Sequence, residues 1–101
     1  MTGSYKIRYL PTAEKDLIEI FEYIKRDNLS AAESQLDRFD SVIASLATHP
    51  FLGVIPKDDR LRRLGYRMLI VERYVVFYAV KKDIVQIRRI IHGARRYSFL
   101  F

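Results

Sequence analysis

The chain begins with a short alternating pattern that gives way to a helical one. Large apolar and basic residues alternate over residues 5–10, a period of two that is typical of a half-buried strand. Pro11 suits the first turn of a helix, and apolar residues then recur at helical spacing from Ala13 to Ile24. The pattern predicts a strand and then a helix that ends around Asp27. The helix is expected to carry its acidic residues on the remaining faces, namely Glu14, Asp16, Glu19 and Glu22.

A second helix is predicted to begin at a capping box. Ser30 and Glu33 have the required spacing, and their hydroxyl and carboxylate would each satisfy a backbone N–H at the start of the helix. Apolar residues then form one stripe as far as Leu46, and His49 with Pro50 ends the helix. Because the link between the two helices is short, we expect them to form an antiparallel hairpin.

The second half of the chain predicts a loop and then a β-meander. Residues 50–63 contain two prolines and a glycine, have no periodicity and are predicted to form a loop. Strands are predicted over residues 66–71, 74–80 and 84–91, and such short links allow only antiparallel neighbours. The result is one α+β domain over residues 1–101, of order β-α-α-β-β-β. We expect the helix hairpin to pack on one face of a mainly antiparallel four-stranded sheet and to leave the other face open.

Composition narrows the class of protein. A chain of 101 residues, 50% of them hydrophobic, is the right size for one domain with its own core. Without cysteine it has neither disulfides nor thiolate metal sites, and His49 and His92 do not have the spacing of a metal-binding pair. No apolar run approaches the length of a membrane span. We therefore expect a cytoplasmic protein with no cofactor, no metal and no membrane partner.

The charge of the chain is concentrated in its second half. Residues 1–54 hold six Lys/Arg and eight Asp/Glu, a net of −2, whereas residues 55–101 hold twelve and four, a net of +8. A positive surface of this kind attracts nucleic acid, acidic protein segments or anionic membranes. The open face of the sheet is expected to carry Arg67, one or both of Arg88 and Arg89, and the basic residues that follow the last strand.

Candidate chemistry collects at the end of the last predicted strand. His92 is followed closely by Arg95 and Tyr97, and together with Arg67 these are the predicted catalytic residues. Such a set could hold a phosphodiester, neutralise its developing charge and move a proton. The alternative is a merely basic strand end with Tyr97 packed on the sheet. The predicted residues for binding nucleic acid or a partner are Arg62, Arg63, Arg88, Arg89 and Arg96.

Three stretches resemble one family when they are taken in order. The first runs from Tyr5-Lys6-Ile7-Arg8-Tyr9 to Tyr23-Ile24, and the second is His49-Pro50 followed by Gly53. The third runs from Gly65-Tyr66-Arg67 to His92-Gly93-Ala94-Arg95. Each piece alone is unspecific. All three, in this order and at this chain length, resemble the RelE/ParE superfamily of bacterial toxins from type II toxin–antitoxin, or plasmid stabilisation, modules.

The resemblance implies a growth inhibitor that a cognate acidic antitoxin keeps silent, with a heterotetramer as the expected assembly. RelE-like members cut mRNA on the ribosome, whereas ParE-like members inhibit DNA gyrase, and both targets stay open. The RelE-like catalytic set is incomplete, because Val75 stands at the position of a basic residue; an endoribonuclease activity is therefore undecided. A non-toxic, basic module that binds nucleic acid is the alternative function.

Overall fold

The computed structural model describes residues 4–93. Its strands are β1 (Lys6–Tyr9), β2 (Tyr66–Val71), β3 (Tyr74–Lys81) and β4 (Ile84–His92), and its helices are α1 (Pro11–Lys25), α2 (Leu29–Ala44) and α3 (Asp59–Arg63), with a 3-10 turn at Ser45–Ala47. The strands form one sheet of order β1-β4-β3-β2. β1 pairs with β4 in parallel, and the other neighbours are antiparallel. The predicted α+β order is confirmed, with α3 as an addition.

The helix hairpin covers one face of the sheet, as predicted. Ala13 of α1 and Phe39 and Ile43 of α2 are buried in one cluster with Val76 and Tyr78 of β3. Successive side chains of a strand point to opposite faces, so only every second residue of β3 reaches the helices. Within residues 4–93, no helix combines the length and the apolar content needed to cross a membrane.

The opposite face of the sheet is not open, and this part of the prediction is wrong. The segment predicted as a loop contains α3, whose N-terminus is capped by Asp58 through the backbone N–H groups of Arg60 and Leu61. Leu61 is fully buried in a second cluster with Val75 and Phe77 of β3 and with Ile91 of β4. One leucine in a charged run has no periodicity, so the local pattern could not indicate this helix.

The start of α2 also differs from the prediction. The side chain of Asn28 accepts a hydrogen bond from the backbone N–H of Ala31, at 3.0 Å, so the cap is Asn28 and not Ser30 with Glu33. Asn28 has the extended backbone that a capping residue adopts (φ −161°, ψ 104°). The cap therefore lies two residues earlier than predicted, and the connection between the two helices is correspondingly tighter.

Asp16 holds α1 against an edge of β4 that β1 is too short to cover. β1 ends opposite Ile87, and beyond that point the carboxylate of Asp16 accepts a hydrogen bond from the backbone N–H of Ile90 at 2.9 Å. The same carboxylate binds Arg89 through two nitrogens, at 2.8 and 3.1 Å. The hydroxyl of Thr12 donates to the carbonyl of Arg88 at 3.0 Å. Asp16 is only 8% exposed, a burial that its place off the apolar stripe of the helix did not indicate.

Replacing Asp16 with alanine should lower the free energy of unfolding by about 3 kcal/mol, because it leaves the Ile90 N–H and the Arg89 guanidinium without their acceptor. Urea denaturation followed by circular dichroism measures this change as a lower midpoint at an unchanged slope. Glu22, exposed on the same helix, is the matched control, and Glu22→Ala should stay within about 0.5 kcal/mol of the wild type. Equal effects at the two positions would contradict this account of α1.

Candidate functional site

Arg67 is anchored to the loop that precedes α3. Its Nη1 donates to the carbonyl oxygens of Gly53, at 2.8 Å, and of Phe51, at 3.3 Å. Its guanidinium also lies over the Phe51 ring, 5.0 Å from the ring centroid. These contacts use one edge and one face of the guanidinium within the molecule. Arg67 therefore has a structural role, whatever else it binds.

Arg88 and Arg89 have different partners, and β4 is irregular at this point. The register pairs Phe77 with Arg89 and Tyr78 with Ile87, which leaves Arg88 as an extra, bulged residue. Arg88 lies over the ring of Tyr66, 5.1 Å from its centroid, and donates to Gln86 at 2.9 Å. Arg89 instead reaches Asp16 of α1. That hydrogen bond is the main reason why the pKa of Arg89 is raised, so its charge is committed to the helix hairpin.

His92 lies at the far end of the sheet from Arg67. Its ring meets that of Tyr74 edge-on, at 5.5 Å between centroids, and both line a groove of about 940 Å³ between α1 and the β2–β3 turn. Burial raises the pKa of Tyr74. On β3, the partners of Arg67 and His92 are Tyr78 and Tyr74, four residues apart, or about 13 Å at the rise of a strand. Arg67 and His92, the two of the four predicted catalytic residues that the structure describes, are therefore not brought together.

The remaining predicted residues fall into two groups. Arg62 and Arg63 lie exposed on α3, where Arg62 forms an ion pair with Asp59 one turn earlier. Arg95, Arg96 and Tyr97 lie outside the described residues, as does the apolar segment at 99–101. Arg67 follows Tyr66 on β2 and therefore lies on the face of the sheet opposite to the one where Arg88 covers Tyr66, so these two described arginines do not share one basic face. The binding and catalytic roles assigned to all these residues stay predictions.

The described residues contain no candidate metal site. No three His, Cys, Asp or Glu side chains between residues 4 and 93 converge as ligands. Two of the acidic residues there are already committed, Asp16 to β4 and Asp58 to the cap of α3.

Residues 51–55 lie in the loop that the sequence predicted, but the sequence did not indicate how this loop is held. We call residues 51–55 the display loop. The backbone N–H of Gly53 donates to the buried hydroxyl of Tyr78 at 2.8 Å, and Val54 forms a bridge with Met68 of β2 through two hydrogen bonds, at 2.9 and 2.8 Å. Burial raises the pKa of Tyr78, so this hydroxyl stays protonated.

Gly53 is required where the display loop touches the sheet. A Cβ at this position would come within 2.7 Å of the Met68 carbonyl oxygen and 2.8 Å of the Tyr78 ring. The apolar side chains on either side of Gly53 point outward, and Phe51, Leu52, Val54 and Ile55 are each between 52% and 60% exposed. The only sequence signal for this arrangement is an apolar run around a glycine, which a loop and a buried segment share.

Comparison with known proteins identifies one matching family and a group of solved structures with a similar fold. Residues 7–97 match the family model described as the ParE toxin of the type II toxin–antitoxin system parDE. No protein in a search of curated sequences matches significantly.

The solved structures that are similar come from toxin–antitoxin systems. The chromosomal ParDE system from P. aeruginosa aligns with a TM-score of 0.73 at 19% identity, covering 90% of this chain and 98% of that one. The RelBE2 complex from Mycobacterium tuberculosis aligns at 0.62 with 22% identity, covering 88% and 98%. The E. coli DinJ-YafQ complex aligns at 0.58 with 14% identity, covering 97% and 98%. At these identities the structures support the fold alone.

Replacing Tyr78 with phenylalanine tests the anchoring of the display loop. The variant removes only the side-chain hydroxyl, so the buried N–H of Gly53 loses its acceptor. We expect unfolding to become easier by about 1–3 kcal/mol, with faster amide exchange at Gly53 and Val54 by NMR. Tyr23, 70% exposed, provides the control Tyr23→Phe, which should change neither quantity. Unchanged exchange in Tyr78→Phe would mean that the loop is held by other contacts.

Proposed function

The chain belongs to the ParE toxin family of type II toxin–antitoxin systems, and from that premise we propose that it arrests growth by binding and inhibiting DNA gyrase. The superfamily resemblance offered two targets, the ribosome with its mRNA and gyrase. The family match favours the second, because ParE-like members act on gyrase without nuclease chemistry. In this proposal the chain is a binding inhibitor and not an endoribonuclease.

One observation supports gyrase over mRNA more than any other, namely the separation of Arg67 from His92. Cleavage of a phosphodiester needs a base and a phosphate-binding cation on the same few atoms, within hydrogen-bond distance of them. Here the strand partners of Arg67 and His92 are about 13 Å apart along β3, and Arg67 is held by the carbonyls of Phe51 and Gly53. Val75, at the position of a basic residue in RelE-like enzymes, is buried against Leu61.

We also propose that a cognate antitoxin binds and silences this chain. The RelBE2 and DinJ-YafQ structures, which share its fold, are toxin–antitoxin complexes. The net charge of +8 over residues 55–101 suits an acidic segment that folds as it binds. A heterotetramer of two toxins and two antitoxins and a cytoplasmic location belong to the same proposal.

Inducible expression of the chain in a bacterium should stop growth, and co-expression of its antitoxin should restore it. The purified protein should inhibit supercoiling by gyrase in proportion to its concentration and trap cleaved DNA, while messages in a translating extract stay intact. Gel assays of plasmid topology and primer extension on the messages measure the two activities in parallel. Ile43→Asp, which places a charge in the core, serves as the unfolded control and should be inactive in every assay.

Cleaved messages together with unimpaired gyrase would overturn the proposed target and indicate a ribosome-dependent nuclease. Normal growth at high levels of folded protein would instead favour the basic, non-toxic module. That module would bind nucleic acid with a steep salt dependence, since contacts to phosphates release counterions. The three outcomes can be told apart because they differ in whether messages are cleaved, whether gyrase is inhibited and whether growth stops.

A further inference from the structure

The display loop combines a fixed backbone with exposed apolar side chains. A flexible loop can bury such side chains against its own domain, but this backbone is tied to the sheet by Tyr78, Arg67 and Met68. Four of its five residues are nevertheless apolar and at least half exposed. An apolar patch that the fold holds outward is a feature of binding surfaces, and a rigid patch loses little conformational entropy when it binds.

A small hollow beside the loop adds a polar element to this patch. Phe51 and Ile55 line one part of it, and Arg62 of α3, Tyr66 and Arg67 line the rest, enclosing about 220 Å³. Two guanidinium groups thus border a space next to exposed apolar side chains. Arg63 and Lys57 lie exposed nearby in the sequence, on and just before α3. Arg62 is paired with Asp59, and the exposed charged side chains over 57–63 are four basic and two acidic, so the apolar centre of the patch has a border of net positive charge.

This combination fits a protein partner with an acidic surface. Protein interfaces have an apolar core surrounded by a polar rim, and complementary charge steers the encounter. A nucleic acid would bind the arginines but would leave Leu52, Val54 and Ile55 without an apolar partner. An anionic membrane would engage both, but a concave pocket between two arginines is suited to one inserted side chain, such as a carboxylate.

We propose that the display loop, with Arg62 and Arg67, is the surface through which this toxin docks onto an acidic patch of its protein target. The inference rests on the proposed function in one respect, which is that the target is gyrase. The surface lies at the Val80 end of the sheet, whereas the groove that contains His92 lies at the Tyr74 end. The two ends can therefore be altered independently.

A pair of matched double variants tests the docking surface. Leu52→Ser with Ile55→Ser changes two loop residues that are 54% and 52% exposed, and Leu29→Ser with Ile70→Ser changes the same residue types at 50% and 69% exposure elsewhere. Both pairs should unfold within about 5 °C of the wild type. The loop pair should weaken binding to purified gyrase by about tenfold or more, as central interface residues do. The control pair should stay within about threefold, since surface substitutions elsewhere have little effect.

Charge reversal at Arg62 provides a second, independent test of the docking surface. Arg62→Glu should slow association with gyrase and weaken the salt dependence of that rate, because the border of the patch would attract an acidic partner less strongly. Surface plasmon resonance at two salt concentrations separates the association rate from dissociation. A folded loop pair that binds and inhibits gyrase like the wild type would overturn the proposal, and so would an Arg62→Glu variant with unchanged association.

The same proteins distinguish a wrong docking surface from a wrong target. If the wild type does not bind gyrase, the proposed function fails, and growth arrest then decides the inference. Arrest that is lost in the loop pair and kept in the control pair supports a docking surface for another target, whereas arrest in both overturns it. Loop-dependent binding to anionic vesicles, or loop-dependent dimers in sedimentation, would overturn the protein-target proposal in favour of a membrane or of a second copy of the chain.

Discussion

The structure depends on how one edge of β4 is satisfied. β4 is nine residues long and β1 is four, so the parallel partner ends before the strand does. Unpaired backbone groups at a sheet edge must find other partners or face water. Here the first turns of α1 supply them, through the Thr12 hydroxyl and the Asp16 carboxylate. The position of α1 follows from this requirement, and α2 packs on the face of the sheet in the same hairpin.

The contacts at this edge of β4 help to explain why the net charge of the C-terminal half did not predict where the arginine side chains lie. Arg89 is drawn to Asp16 because a buried carboxylate needs a charged partner, while the bulged Arg88 lies over the ring of Tyr66. Arg67 is used to hold the display loop. Three basic residues of the C-terminal half therefore serve three internal purposes. Their number predicted a basic surface, but their contacts decide how much of that charge a partner can reach.

Local sequence patterns predicted the strands and the long helices but not the contacts between them. The alternation at residues 5–10, the helical stripes and the meander gave the correct order of strands and long helices, because each is a periodicity within one segment. The Asp16 contacts join residues 73 and 74 positions apart, and the Gly53–Tyr78 bond joins residues 25 apart. No local pattern contains such pairs. Family resemblance extended the prediction to a toxin of this fold, and that membership is confirmed over residues 7–97.

The proposed role as a binding inhibitor favours a rigid scaffold in a chain of this size. A chain of about one hundred residues has little surface, so its affinity has to come from a few well-placed side chains. Ordering a loop on binding would subtract from that affinity, whereas the display loop is ordered in advance by the Tyr78 hydroxyl and by Arg67. Gly53 cannot carry a side chain because the same anchoring brings its backbone against the sheet. The buried polar contacts of the molecule thus hold its exposed apolar residues in position, and a change that releases Gly53 is expected to weaken recognition even where every residue in contact with the partner is unchanged.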